Sequence, residues 1–232
     1  MQNHSRRILL AGLFASAASP AFAQQAQPFF GRLTQQDATR ALREALTLAS
    51  TNATHQLGQP AGFWSDLNVR IPLPGMLGDT QRTLSRFGMS APLDNLQQSL
   101  NRAAETTMPR AATMFVDAVR TITIADAIAI VRGGSDSATL YLRGRTERGL
   151  TRLLKPVMRT ALTDSGAFTL MRTALREVGL ASMTTQLRAE ITDASTAKAL
   201  DGCFHYIAQE ERAIRGNPAR RTSDTLRRVF GD

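Results

Sequence analysis

Apolar residues recur at three- and four-residue steps along almost the whole chain, from Ala38 to Phe230. No run keeps the two-residue period of a strand for more than a few positions. Such a pattern supports amphipathic helices packed on one another and offers nothing to build a sheet from. It predicts an all-α fold, a single compact domain of about eight or nine short helices spanning residues 34–232, crossed by one Pro-rich apolar strap. No internal repeat and no low-complexity segment interrupts it.

Ahead of that pattern, the basic start His4-Ser5-Arg6-Arg7 leads into the small and apolar run from Ile8 to Ala18. Ala21-Phe22-Ala23 then supplies the spacing that signal peptidase cuts. Residues 1–23 read as an export signal rather than an anchor, because the apolar run is too short to span a bilayer. Ser5-Arg6-Arg7-Ile8-Leu9-Leu10 is also similar to a twin-arginine signal, although paired arginines occur in ordinary secretion signals too. Residues 24–33 are expected to be a flexible lead into the first helix, and the expected location is the periplasm, with no transmembrane segment once the signal is removed. Cys203 is the sole cysteine, so no intramolecular disulfide can form there and stability rests on packing. The chain carries a net charge of +9, and Arg6 and Arg7 lie in the acid-free signal, so +7 remains after its removal. The bases are almost all arginine, with Lys155 and Lys198 the exceptions, a bias that genome composition alone can produce. The charge admits an anionic partner without demanding one.

Taken in order, Thr34 with Asp37 caps a helix whose Ala38, Ala41, Leu42, Ala45, Leu48 and Ala49 follow the helical period, and Gly58 ends it. Gln59 to Gly75 is irregular, setting Phe63, Trp64, Leu67, Val69, Ile71 and Leu73 among Pro60, Pro72 and Pro74. A segment this apolar cannot lie free in water cheaply, so it is expected to cross the helices as a lid or strap. A short helix closed by Gly88 follows, then one opened by Ser90 and Pro92 that reaches Thr107, with Pro109 interrupting or kinking the run.

Met114 to Arg145 reads as three short helical pieces and as the element the rest is organised around. The β-branched run Thr121-Ile122-Thr123-Ile124 should end the first piece. Thr123 should cap the second, whose apolar residues from Ile124 to Val131 predict a buried helix, and Gly133-Gly134 should end it through a left-handed cap. Ser135 or Asp136 should cap the third. Beyond it, Leu150, Leu153, Leu154, Val157, Met158, Ala161 and Leu162 form a stripe opposite Arg152, Lys155 and Arg159; a core-facing helix with a solvated basic side is favoured over a membrane-lying one. Further helices run to Gly179, around Leu187 and Ile191, and from Ser195 to Arg215. Gly216-Asn217-Pro218 stops the last of these, and Leu226, Val229 and Phe230 are apolar enough to dock a final small helix.

Several short matches in order carry a resemblance: Ser99-Leu100-Asn101-Arg102-Ala103-Ala104-Glu105, Phe115-Val116-Asp117-Ala118, Gly133-Gly134-Ser135-Asp136-Ser137-Ala138-Thr139, Lys198-Ala199-Leu200-Asp201-Gly202, Ile207-Ala208-Gln209-Glu210-Glu211 and Arg228-Val229-Phe230-Gly231. With the strap motif Val69-Arg70-Ile71-Pro72-Leu73-Pro74, they make the chain, from Thr39 to Gly231, resemble the exported bacterial family known as domain of unknown function 4197. The resemblance implies a signal-bearing, all-helical envelope protein and carries over no activity. The sequence departs at Cys203 and His205, where plain apolar residues are expected.

Chemistry-bearing motifs are sparse. His55 and His205 lie far apart, neither a zinc signature nor a nucleophile elbow occurs, and Gly133-Gly134-Ser135-Asp136 lacks the lysine and spacing of a phosphate loop. Cys203 sits on an apolar stripe as a small hydrophobe, and Glu210, Glu211, Arg212 and Arg215 read as a solvated helix face. Asp117, Asp126, Asp136, Tyr141 and Arg143 read first as caps and internal ion pairs, and otherwise as a polar patch at the mouth of a pocket. The expectation is therefore a non-enzymatic binding protein with no metal and no cofactor. Its ligand would be small and apolar or amphiphilic, touched by Phe63, Trp64, Ile71, Asp126, Asp136, Tyr141 and Arg143. The alternative is an envelope protein using arginine-rich surfaces on anionic lipid, lipopolysaccharide or a protein partner; an enzyme without a recognisable motif ranks below both. Nucleic acid is not an expected partner for an exported protein.

Overall fold

A computed structural model describes residues 33–121 and 123–231 of the chain. Residues 1–23, expected from the sequence to be an export signal, and residues 24–32 lie outside the described residues. Those described form eight α-helices: α1 (Gln35–Leu57), α2 (Gly75–Ser85), α3 (Ala91–Thr121), α4 (Ala127–Arg132), α5 (Ser137–Asp164), α6 (Ala167–Glu177), α7 (Thr184–Gly216) and α8 (Asp224–Phe230). Single 3-10 turns stand at Ala181–Met183 and Pro218–Arg220. The all-α class is as expected, and among the described residues no helix is long and apolar enough to cross a membrane.

The four long helices close a ring. α1 packs on α3 and α7, α3 on α5, and α5 on α7, while the diagonal pairs α1–α5 and α3–α7 meet far less. That arrangement is a four-helix bundle. Contacts at the helix ends set the directions. Gln35 Nε2 donates to Ala125 O just past the end of α3, Ser99 Oγ near the start of α3 donates to Ser165 O just past α5, and Ala138 N at the start of α5 donates to Glu211 near the end of α7. Ala41 and Ala45 of α1 cluster with Ile214 at the end of α7. Ring neighbours therefore run antiparallel.

The inward faces follow the expected period. α1 buries Ala38, Leu42, Leu46, Ala49, Ala53 and Leu57, and α3 buries Leu93, Leu96, Leu100, Ala104, Met108, Ala111 and Phe115. Each buried leucine or phenylalanine contributes roughly 1.5–3 kcal/mol by leaving water. Thr34 caps α1 as expected, its Oγ1 accepting from Asp37 N at 3.0 Å and donating to the Asp37 carboxylate at 2.7 Å. α6 lies on α3 through Phe168, Met171 and Leu175, and α8 docks on α1 through Leu226.

Several expectations from the sequence are corrected. α3 runs unbroken through Pro109, so the piece from Met114 is the end of a 31-residue helix, and α5 and α7, with 28 and 33 residues, are likewise long rather than short. Pro109 sits on the exposed side, while Met108, Ala111 and Phe115 hold the buried side in place. The stretch around Ile124 to Val131 is not the organising centre. α4 is six residues long and lies at the surface, with Ala127 and Val131 inward and Ala129 exposed. Its cap is Asp126, accepting from Ala129 N at 3.2 Å, not Thr123. Gly133 leaves it in extended rather than left-handed backbone.

Candidate functional site

The strap is a wedge. Phe63, Val69, Ile71 and Leu73 are buried in the main core, and four polar ties fasten the backbone around them. Ile71 N donates to Asn101 Oδ1 and Asn101 Nδ2 donates back to Ile71 O, both at 2.9 Å, from a fully buried asparagine on α3. Phe63 N donates to Glu105 Oε1 at 3.3 Å. On the other side Tyr206 Oη of α7 donates to Asp66 Oδ2 at 2.7 Å. Gly202 of α7 faces the Phe63 ring so closely that a Cβ there would stand 2.9 Å from Phe63 Cε1. Thus the strap fills the space between α3 and α7, the diagonal helices that otherwise scarcely touch.

This placement bears on two candidate residues. Phe63 and Ile71 are fully buried core side chains. Trp64 is half-buried and lines a separate hollow of about 480 Å³ with Pro60, Ala61, Arg102 and Glu105, while the Arg70 guanidinium covers its ring at 4.5 Å.

The Tyr206–Asp66 tie also sets two acidities. The N–H of Asn68 and the Tyr206 hydroxyl, both donating to Asp66, hold its carboxyl below the ordinary carboxylate value. Burial and the adjacent carboxylate push the Tyr206 phenol up to about 12.

Where α4, α5 and α7 meet, Glu211 and Arg215 form a clamp. Glu211 is 3% exposed; its Oε1 accepts from Ala138 N at 3.0 Å and its Oε2 from Thr139 N and Thr139 Oγ1 at 2.7 Å each. The carboxylate thereby caps α5 from outside, doing what the Asp136 side chain does not. Arg215, one turn on, donates from Nε to Glu211 at 2.8 Å and from its two terminal nitrogens to Val131 O at 2.6 Å and Ile130 O at 3.1 Å. One α7 pair therefore satisfies the donors that open α5 and the acceptors that close α4. The solvated face expected for these residues is corrected: Glu211 has turned inward.

Beside the clamp lies a cleft of about 560 Å³, walled by the strap, the first two turns of α5 and the middle of α7. Its apolar floor is Val69, Pro72, Leu140, Phe204 and Ala208, and its cations are Arg70, Arg143, Lys198 and Arg212. Two acids stand among them. Asp201 accepts from Arg143 at 2.6 Å and from Lys198 at 3.3 Å, and Asp136 pairs with Arg212 at 3.4 Å. Arg143 also donates to Glu147 at 2.8 Å and lies over the Phe204 ring at 5.3 Å, and these acceptors raise the pKa of its guanidinium further. Arg143 is therefore fixed. Lys198 and Arg212, half-exposed on longer pairs, are free to turn toward a newcomer.

Of the candidate residues, the structure brings Asp136 and Arg143 together on this cleft and leaves the others apart. Asp126 caps α4 at the surface, and Tyr141 Oη donates to Thr123 O at 2.6 Å, holding the link between α3 and α4. His205 lines the cleft, its Nε2 facing Gln209 Nε2 at 2.7 Å. Among the described residues no three His, Cys, Asp or Glu side chains converge to hold a metal ion. The residues that sequence reasoning missed are Arg70, Lys198 and Arg212, which reach the cleft from the strap and from two levels of α7.

Compared with known proteins, residues 32–231 match the family described as Protein of unknown function (DUF4197). No curated protein and no solved structure matches the chain.

Proposed function

The chain belongs to the DUF4197 family of proteins of unknown function, and from that premise we propose that it is an exported, non-catalytic binding protein holding a small anionic amphiphile in the cleft between strap, α5 and α7. One observation carries the reading: four cations gather over a floor of Val69, Pro72, Leu140, Phe204 and Ala208. Ligand clefts commonly measure roughly 300–1,000 Å³ and join an apolar lining to a few placed polar groups, and this cleft of about 560 Å³ does both. Lys198 and Arg212 take the anionic head by loosening their half-exposed pairs, and Arg143, held from two sides, keeps the wall in place. The apolar part lies along Leu140 and Phe204. A purely apolar ligand under the strap fits less well, because the strap side chains occupy that space themselves. The Ala21-Phe22-Ala23 pattern within residues 1–23 supports export, and an exported protein would draw its ligand from envelope amphiphiles.

Titration calorimetry with dodecyl phosphate, dodecanol and dodecylammonium tests the reading. Dodecyl phosphate should bind and the other two should not; equal binding of all three, or of none, would overturn it. Native mass spectrometry of the protein taken from periplasm without refolding should show an adduct lost on denaturation.

A further inference from the structure

Arg145, Arg148, Arg152, Lys155 and Arg159 follow one another along α5 at steps of three, four, three and four residues, the spacing that keeps side chains on one side of a helix. All five are exposed, in a row about 21 Å long at the helical rise. Neighbouring like charges at these steps repel and weaken a helix. Little in the fold relieves that. Glu147, the one acid of α5 before Asp164, turns to Arg143, and among the described residues only Lys155 of the five has an ion pair, with Asp193. Among the described residues no carboxylate pairs with Arg145, Arg148, Arg152 or Arg159; Arg145 lies over the Tyr141 ring, and Arg152 Nε reaches only the Arg148 carbonyl.

On the α3 side of the same helix, Leu153 is 56% exposed and joins Met114, Pro156 and Val157 in an open groove of about 830 Å³ edged by Arg102 and Arg110. A linear polyanion would use the cations and leave this apolar groove in water. A bilayer of anionic lipid offers phosphates to the one and its acyl boundary to the other. We propose that the outer face of α5 docks on an anionic phospholipid surface, with the five-cation row on the headgroups and Leu153 at the boundary. This surface is separate from the cleft and does not depend on its ligand.

The test is co-sedimentation of the full chain with vesicles of phosphatidylglycerol and phosphatidylcholine, with pure phosphatidylcholine as reference, at low and at high salt. Three chains are compared: wild type, the triple variant Arg148→Gln, Arg152→Gln, Arg159→Gln, and a control of equal charge, Arg172→Gln, Arg176→Gln, Arg228→Gln, with folding checked by circular dichroism. Wild type should bind the anionic vesicles at low salt and be released by high salt. The α5 variant should lose roughly a hundredfold in partitioning, since each surface cation adds about a factor of five, and the control should lose far less. Equal losses in the two variants would overturn the proposal in favour of diffuse charge. Absence of wild-type binding, or tighter binding of a single-stranded oligonucleotide in parallel, would also overturn it.

Discussion

Glu211 and Arg215 stand one turn apart on α7 and hold the ends of two other helices, α5 and α4. A buried carboxylate answered by two backbone N–H groups, a hydroxyl and a guanidinium is worth most through what its removal leaves behind, namely capless donors and an uncompensated arginine. Glu211→Ala should therefore cost about 3–5 kcal/mol in urea unfolding, while Asp117→Ala, which loses only an exposed pair with Arg120, should cost under about 0.5 kcal/mol. Similar losses at the two positions would dismiss the clamp. The Asp66–Tyr206 tie carries a pH signature on both flanks. Asp66 is held below its ordinary value, so its contribution is present above the unfolded carboxyl pKa and fades as acid protonates it, below about pH 4. Tyr206 is raised to about 12, so its contribution is complete below the unfolded phenol value near 10 and is lost as pH climbs from there to about 12. Tyr206→Phe should flatten the alkaline decline and part of the acid one in Tm-against-pH profiles; an unchanged alkaline limb would reject the assignment.

At the scale of elements, the strap decides how α3 and α7 are spaced. Gly202→Ala would gain helix propensity of up to about 1 kcal/mol, yet the new methyl meets Phe63, which is fully buried and has nowhere to go. The clash should win, leaving the variant less stable by about 1–2 kcal/mol. Gly144→Ala, inside α5 with open space around it, should instead stabilise by about 0.5–1 kcal/mol. Opposite signs at the two glycines, read from urea midpoints, are the expected result, and a stabilised Gly202→Ala would mean that Phe63 can yield. Helix faces, the Thr34 cap and the buried apolar strap were all legible in the sequence, because period and local capping chemistry are written within a few residues. Pro109 does not break the helix, because its cost of about 3 kcal/mol is local, while the burial of Met108, Ala111 and Phe115 that outweighs it is tertiary. The cleft was half legible for the same reason. Asp136 and Arg143 stand out as polar residues beside apolar ones, but nothing local says that Arg70, Lys198 and Arg212 will join them. Nor does Glu211 differ in sequence from Glu210, since its partners are backbone N–H groups seventy-odd residues away.

For the molecule as a whole, the question is whether the bundle opens under the strap or only unfolds entire, and Cys203 is placed to answer it. The thiol is fully buried on α7, next to Gly202 where Phe63 packs, with Sγ 3.6 Å from Met108 Sδ of α3. Burial pushes its pKa up to about 12, so at pH 8 the native protein holds almost no thiolate, and alkylation must pass through an opening that exposes the site. If the strap is a wedge tied by Asn101, Glu105 and Tyr206, that opening is global unfolding. Labelling in native buffer should then be slow, should accelerate with urea, and should yield the same free energy and urea slope as the loss of helical circular dichroism. A lid would behave otherwise. Its opening would expose Cys203 at little cost in surface, giving labelling that is fast in water and nearly independent of urea. That outcome would return the strap to the role of a gate and move the ligand from the outer cleft to the space beneath it.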